Sequence, residues 1–588
     1  MRPRALRRRP DWLTAGRTID ALVVLGFLLA AFLLYRPLWM DLGRAYLTSS
    51  VQDQNMWEWF FAVTARAVLT LDNPLFTDLQ NHPLGVNLMA NTAMLGIGVP
   101  LTPVTVLFGP TATWALTLTG GLAATSTAWY WLLSRHVVDT RAGAAIGAAF
   151  CGFAPPIISH ANAHPNFVVL ALLPLIVHRL LLLTRGARPV RNGVILGLLV
   201  AYQVFLGEEP LLIAATTMAV FAAVYALSRP AEALAMARPL GTGIAVGACV
   251  TVLLVAFPLW WQFAGPQSYT GIEHGLQGND VTAFTSFATE SLAGDHDSAQ
   301  QLSLNRTEEN AFFGWPLVVL LAAVSIALWR VVAARALAVA MVVLAWISTG
   351  VLLIVDGTAT SVPGPWMLLF DLPLYESVLE SRFALGCVAP AGILLALATE
   401  RVLRPRWPGD WRHVARTVWF SALALALVPI APTELRVSAR DPAPVFFTDD
   451  TWRRYVEPGG SVVVVPLPDS GDAEALHWQV EAGLGFPLAE GYFVGPSPDG
   501  RGTYGAVRRP TSSVLEDVAE SGVVPTVTAR EREQALADLR YWRADVVVLP
   551  TTADEEDALR TTVERLLDRD ARFVDGVWVW DVRSVTSA

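Results

Sequence analysis

The stretch DLGRAYLTSSVQDQNMWEWFFAVTARAVLTLDNPLFTDLQNHPLGVNLMANT, residues 41–92, follows the first apolar run of the chain. A short acidic and polar sequence, Gln52-Asp53-Gln54-Asn55, lies directly before the aromatic residues Trp57, Trp59, Phe60 and Phe61. The stretch is too polar to cross a bilayer, because each uncompensated polar group in hydrocarbon costs several kcal/mol. We interpret it as a loop outside the membrane, with Asp53 as the candidate catalytic carboxylate.

The composition around this loop is that of a membrane protein. The chain has 588 residues, of which 53% are hydrophobic and 16% are charged, and its mean hydropathy is +0.45. Soluble domains carry about 25% charged residues. A chain this apolar is an integral membrane protein.

The charge pattern predicts the topology. The first ten residues are strongly basic and precede an apolar run, residues 19–35, without a small-residue cleavage site, so the N-terminus is expected in the cytoplasm. The run at 93–108 contains Pro100 and Pro103 and is shorter than the roughly 20 residues of a span. We therefore predict that it does not cross, and that the first outer loop occupies 41–110. This choice puts the later arginine-rich loops inside and predicts about eleven transmembrane helices within residues 1–432.

Residues 433–588 have the composition of a soluble domain. From residue 441 onwards there are 26 acidic and 14 basic residues, which argues against nucleic acid as a partner. The patterns predict a small α/β domain outside the membrane. They predict strands at 461–466, 545–550 and 572–582, helices at 531–542 and 555–568, an exposed loop at 483–505 and, in the first loop, an interfacial helix at 57–71.

Ionisable residues at the outer ends of the predicted spans are the other candidates, because such groups are costly near lipid and often functional. His160 and His164 have metal-ligand spacing, but nearby prolines interrupt the helix and no third ligand is evident. Three interpretations stay open for this pair: a metal site, hydrogen bonding to a substrate or phosphate, or a structural role at the membrane boundary.

Three further candidates complete the predicted site. Glu208 and Glu209 precede Pro210, where they would either stabilise a helix N-terminus or line an outer cavity. Arg382 could bind a phosphate through its planar guanidinium, form a salt bridge to Glu376 or Glu380, or extend its side chain to the membrane interface. With Gln54, these residues and the two histidines are the predicted substrate-binding set.

The layout resembles the GT-C class of membrane glycosyltransferases over roughly residues 11–430. The matching pieces are Asp53 in VQDQNMWEWF, the Asn73-Pro74 turn, the HPLGVNL segment and the prolines at 100 and 103. The acidic pair of protein O-mannosyltransferases and the DxD-type metal motif of oligosaccharyltransferases are missing. The resemblance implies a catalytic acidic residue in the first outer loop, a polyprenyl-phosphate sugar donor and a C-terminal domain outside the membrane.

The function predicted from the sequence is sugar transfer to a cell-envelope glycan, lipid or protein, at the outer face of the bacterial cytoplasmic membrane. Neither a GxxxxGK[ST] loop nor a strand-bounded GxGxxG is present, which favours a lipid-linked donor. No cofactor is predicted, and a divalent metal has no support beyond the histidine spacing. The alternative is a non-enzymatic protein, either a transporter or flippase, or a scaffold for envelope assembly.

Overall fold

A computed structural model describes residues 11–272, 274–275, 277–404 and 411–586. The chain divides into two compact units. The helical unit takes in Met1–Met40, Ala115–Val252 and His274–Arg436, and the mixed unit takes in Asp41–Trp114, Leu253–Glu273 and Val437–Ala588. The first loop thus shares a unit with the C-terminal residues, and the division into domains at 432/433 stays a prediction.

Apolar helices build the helical unit. Five helices of the described chain are long and apolar enough to cross a membrane, and four apolar helices are shorter. Ile326 is 76% exposed and Leu425 is 71% exposed, as expected for side chains that face lipid. A helical membrane protein is confirmed, whereas the count of eleven spans stays a prediction. The five are Gly16–Leu34, Pro165–Thr184, Glu208–Ser228, Pro230–Ala264 and Glu380–Leu403, and the shorter ones are Arg141–Phe153, Pro189–Val204, Trp315–Leu328 and Val332–Ile347.

Close helix contacts in this unit depend on small residues. A Cβ atom on Gly147 would lie 2.4 Å from the Gly392 carbonyl oxygen, so the two helix backbones meet where neither residue has a side chain. The α-helices within or around the first, second and last of the five spans are Asp11–Leu34, Leu172–Thr184 and Val388–Leu403. Two further long helices are Pro110–Leu132 and Trp411–Leu427, and a hairpin is formed by Leu352–Val355 and Thr358–Pro363.

The first loop folds into helices and short strands of the mixed unit. Its main element is the loop helix, Val51–Thr70, which begins before the predicted residue 57. Trp57 is 3% exposed and Trp59 is fully buried, so the prediction of an interfacial helix is wrong: the aromatic side chains are covered by protein. The segment at 93–108 forms two helices, Leu95–Gly98 and Thr102–Phe108, neither of which is long enough to span a bilayer.

A four-stranded sheet forms the core of the C-terminal residues. Ser461–Val464 pairs in parallel with Ala544–Pro550, which pairs antiparallel with Val577–Asp581. These strands are apolar because helices cover them, as in buried parallel sheets. The α/β prediction is confirmed. The helices of these residues are Glu474–Glu481, Pro510–Ser521, Ala529–Tyr541 and Glu556–Leu567, and their further strands are Val437–Ala439, Val494–Pro496, Gly502–Tyr504 and Arg572–Val574. The short strands of the first loop are Ala45–Leu47, Phe76–Thr77 and Val86–Asn87.

Two predictions for this region are corrected. The strand predicted at 572–582 is a hairpin, because Asp575 and Gly576 adopt positive φ and turn the chain between Arg572–Val574 and Val577–Asp581. The segment at 483–505 is only partly exposed, because residues 488–491 are buried and Phe486 and Phe493 are each 1% exposed, whereas residues 498–501 and Tyr504 are exposed. The glycines and prolines in the buried part of this segment allow an irregular backbone that packs against the rest of the unit.

Glu490 anchors the buried part of this segment. It is 3% exposed and accepts a hydrogen bond of 2.5 Å from the Ser512 hydroxyl. Burial raises the pKa of Glu490 to about 7 from the ordinary 4.5. The folded state therefore binds a proton that the unfolded chain releases between these two values, so stability falls as the pH rises through this window.

We predict that Glu490→Gln reduces the pH dependence of stability. The carboxyl contributes roughly 3 kcal/mol of destabilisation between pH 5 and 8, at about 1.4 kcal/mol per pKa unit. The thermal unfolding midpoint of the detergent-solubilised protein should fall across this range for the wild type and change several degrees less for the variant. The exposed-site control Glu533→Gln should follow the wild type. Parallel pH profiles for wild type and Glu490→Gln would contradict the assignment.

Candidate functional site

Asp53 lies in the first turn of the loop helix, where the helix dipole favours a negative charge. It is 7% exposed. Its Oδ1 accepts a hydrogen bond of 2.7 Å from the Tyr492 hydroxyl, and its Oδ2 accepts a short one from the Ser50 hydroxyl. A carboxylate held by two hydroxyl donors in this way can accept a proton or orient a hydroxyl nucleophile.

Gln54 is fully buried, and its amide joins the loop helix to strand Ala45–Leu47. Its Oε1 accepts from the Leu47 amide at 2.9 Å, while its Nε2 donates to Glu58 at 2.8 Å. Both ends of the amide are thus engaged within the protein, and contact of Gln54 with a substrate stays a prediction. Its position explains how the turn carrying Asp53 is held.

A buried ion pair supports the same turn. The Arg440 guanidinium contacts the Glu58 carboxylate at 2.8 Å, and each side chain is 3% exposed. Arg440 also lies over the ring of Tyr46, 4.1 Å from its centroid. Tyr46 donates a hydrogen bond of 2.8 Å to Asn55. Sequence reasoning missed both members of the pair, and their separation along the chain leaves no local pattern that would have linked them.

The second group of candidates lies in the helical unit, and the structure brings four of the predicted residues together there. The helix Pro155–His160 ends in a turn in which the His164 amide donates to the His160 carbonyl at 2.7 Å. Pro165 therefore does not prevent the two imidazoles from sharing a face. Their Nδ1 atoms are 2.9 Å apart, a hydrogen-bond distance.

Asn310 sets the tautomer of His160. The Asn310 amide nitrogen donates to Glu308 at 2.9 Å, which leaves its Oδ1 to accept from His160 Nε2 at 2.8 Å. Burial lowers the pKa of His160 to about 4, so the ring is neutral and its Nδ1 carries a lone pair. That lone pair points toward the His164 ring.

Arg382 is held between two carboxylates. Its Nε lies 3.1 Å from both carboxylate oxygens of Glu308, and its Nη1 lies 2.7 Å from Glu209. The predicted partners Glu376 and Glu380 are not those seen, because the acidic residues that meet the guanidinium come from two other segments. Burial disfavours the charge on Glu308, but Arg382 above all, and then the two imidazoles, hold the pKa of that carboxyl well below its usual range.

Glu308 supplies the third donor that the sequence left unassigned. Donor atoms of His160, His164 and Glu308 all lie within 4.8 Å of one another. Two imidazoles and one carboxylate are a donor set of catalytic zinc sites. The contact of His160 with Asn310 also fits, because metal-binding histidines usually donate their other ring N–H to an oxygen. These residues therefore suit a divalent cation.

The roles predicted for these residues stay predictions, although their places are now defined. Glu208 and Glu209 begin the helix Glu208–Ser228, as expected for acidic residues at a helix N-terminus. Asp53 and Gln54 belong to the mixed unit, and the histidines, Arg382 and both glutamates belong to the helical unit. Glu308 could have been suspected from the sequence, since Glu308-Glu309-Asn310 precedes an apolar run.

Comparison with known proteins identifies the fold. No protein-family model matches the sequence, and no curated protein matches it. The chain is similar to the archaeal oligosaccharyltransferase AglB from Archaeoglobus fulgidus in complex with an inhibitory peptide and a dolichol-phosphate, with a TM-score of 0.50, 12% identity and coverage of 94% of this chain and 72% of that chain. The Archaeoglobus fulgidus oligosaccharyltransferase in complex with Zn and sulfate gives a TM-score of 0.50, 11% identity and coverage of 90% and 68%. The chain therefore has the fold of the GT-C polytopic membrane glycosyltransferases.

Proposed function

We propose that this protein is a membrane glycosyltransferase that moves a sugar from a polyprenyl-phosphate donor to a cell-envelope acceptor. The observation that carries the proposal is the buried Asp53 carboxylate, held by two hydroxyl donors at a helix N-terminus, in a chain with the GT-C fold. The similar oligosaccharyltransferase was solved with a dolichol-phosphate and a peptide, which supports a lipid-linked donor and a separate acceptor. The reaction takes place at the outer face of the cytoplasmic membrane, with the N-terminus inside and the C-terminal residues outside.

Asp53 acts on the acceptor in this proposal. An acceptor hydroxyl replaces Ser50 as a donor to the Asp53 carboxylate, which aligns its oxygen and receives its proton. The acceptor oxygen forms a bond to the anomeric carbon of the donor sugar, the bond from that carbon to the phosphate oxygen breaks, and polyprenyl phosphate leaves. Tyr492 keeps the carboxylate oriented while this happens, because its hydroxyl holds the other oxygen.

The polar cluster of the helical unit is proposed as a cation site in its own right. His160, His164 and Glu308 would hold a divalent cation, which when bound supplies positive charge for an anionic group such as a phosphate. Arg382 orients Glu308 through its two contacts with the carboxylate and is itself fixed by Glu209. A direct contact between Arg382 and phosphate, as predicted from the sequence, would require that one of these carboxylates be displaced.

We predict that Asp53→Asn abolishes transfer. The amide keeps the size of the side chain but cannot accept the proton, so the rate should fall by at least about 100-fold. The measurement is the transfer of radiolabelled sugar from a polyprenyl-phosphate sugar in membrane vesicles. Asp72→Asn, an exposed carboxylate beyond the end of the same helix, should retain activity. Unchanged glycan products in Asp53→Asn vesicles would refute the proposal, provided that the variant inserts normally.

A milder effect is expected for Tyr492→Phe. The substitution keeps the ring but removes the hydrogen bond to Asp53, whose loss costs about 1 kcal/mol, or roughly fivefold in rate. The same transfer assay should show a lower kcat with little change in the KM for the donor. A wild-type kcat in this variant would mean that Tyr492 does not orient the carboxylate.

The cation can be tested separately from the transfer reaction. Dialysis against EDTA should lower both the activity and the thermal unfolding midpoint of the purified protein, and Mn²⁺ or Zn²⁺ should restore both. His164→Gln should abolish the metal-induced shift in the midpoint, whereas the exposed control His296→Gln should retain it. An equal metal-induced shift in wild type and His164→Gln would exclude this cluster as the site.

A further inference from the structure

A cavity of about 450 Å³ lies in the mixed unit, at the carboxyl ends of the two parallel strands. Its walls come from the loops after Ser461–Val464 and Ala544–Pro550, from the end of helix Pro510–Ser521, and from the first turns of the loop helix. Crevices at the carboxyl ends of parallel strands are the usual ligand sites of α/β sheets. Its size matches the range of about 300–1,000 Å³ for small-molecule sites and exceeds what a bare metal ion needs.

The cavity is acidic. Asp472, Glu474, Glu520 and Asp554 contribute to its wall, and none of the described residues that line it is basic. An anion such as phosphate would meet only like charges there. Burial, and after it the carboxylates of Asp472, Asp441 and Asp554, raise the pKa of Glu474. A bound cation would relieve this repulsion.

The side chain of Asn55 places an independent requirement on the chemistry of the ligand. It lines the cavity and is 1% exposed, and its Oδ1 already accepts from the Tyr46 hydroxyl at 2.8 Å. Its Nδ2 has no hydrogen-bond partner among the described residues. A buried donor without a partner is unfavourable, and an oxygen acceptor on a ligand would satisfy it. The ligand must then present an oxygen as well as a positive charge.

The apolar part of the wall limits the ligand further. Val465, Pro468 and Trp478 line the cavity beside the acidic residues, so that the ligand meets C–H surface as well as polar groups. A pyranose ring combines such a surface with hydroxyl oxygens, and an amino substituent adds the charge. We infer that this cavity binds an amino sugar, with its ammonium group at the carboxylates and a ring or hydroxyl oxygen at Asn55. The inference goes beyond sugar transfer and does not depend on it.

Binding can be measured directly on the full chain in a detergent without sugar groups. Isothermal titration at pH 7.5 would compare D-glucosamine with D-glucose, which has nearly the same shape but a hydroxyl in place of the amino group and no charge. We expect glucosamine to bind at least tenfold more tightly than glucose. Glu474→Gln should weaken the binding of glucosamine at least tenfold, and the carboxylate-to-amide control Glu533→Gln, outside the cavity, should leave it unchanged.

A second variant distinguishes a loss of binding from a loss of folding. Glu520→Gln changes a different wall of the cavity, so glucosamine affinity should fall in this variant too while its thermal unfolding midpoint stays at the wild-type value. Equal affinities for the two sugars would overturn the inference, because charge would then play no part. The absence of glucosamine binding, or the binding of Ca²⁺ alone, would overturn it as well.

Discussion

The buried ion pair between Glu58 and Arg440 is the interaction on which the environment of Asp53 depends. Breaking such a pair by removing one partner typically costs about 3–5 kcal/mol, since the other charge is left without compensation in the interior. Glu58 also accepts from Gln54, one residue after Asp53, and Arg440 directly follows the strand that pairs with Ala45–Leu47. The pair thereby fixes both the start of the loop helix and the strand before it.

The same principle governs the helical unit, where charges beside apolar helices must be compensated. Arg382 is matched by Glu308 and Glu209, so in the ionised state the group has one negative charge more than positive. The neutral imidazole of His160 does not correct this excess. A divalent cation among His160, His164 and Glu308 would, whereas a phosphate at Arg382 would add to it. The charge balance thus favours the binding of a cation at the histidine pair over the binding of a phosphate at Arg382.

Local patterns predicted much of the fold, because they depend on neighbouring residues. The valine runs at 461–466 and 545–550 became strands since buried parallel strands need continuous apolar sequence. The helix Ala529–Tyr541 begins at a capping box between Thr528 and Glu531, which needs only three residues of separation. The hairpin at 572–582 was missed since Asp575-Gly576 is a turn signal inside an otherwise regular alternation.

The candidate site was harder to predict, because its partners are distant in sequence. Asp53 could be singled out from its surroundings, and so could the histidine spacing. Tyr492, however, lies 439 residues from Asp53, in a segment rich in glycine and proline whose composition suggested exposure. Glu308 is separated from Arg382 by 74 residues, and it lies still farther along the chain from the two histidines. Composition identifies which residues can do chemistry, but only the tertiary fold decides which of them meet.

The C-terminal residues pack against the loop that carries Asp53 and help to hold it in place. The Trp59 indole donates to the Gln479 side chain at 2.5 Å, and the Arg66 guanidinium contacts the Leu484 carbonyl, so the loop helix is anchored along its length by the polypeptide after residue 437. Full burial of a large aromatic side chain contributes about 2–3 kcal/mol, and Trp59 would lose this if those residues were removed. Glu58 would lose its charge partner at the same time. The C-terminal residues are therefore required to shape the surroundings of Asp53, and changes in their core would act on the geometry of that carboxylate.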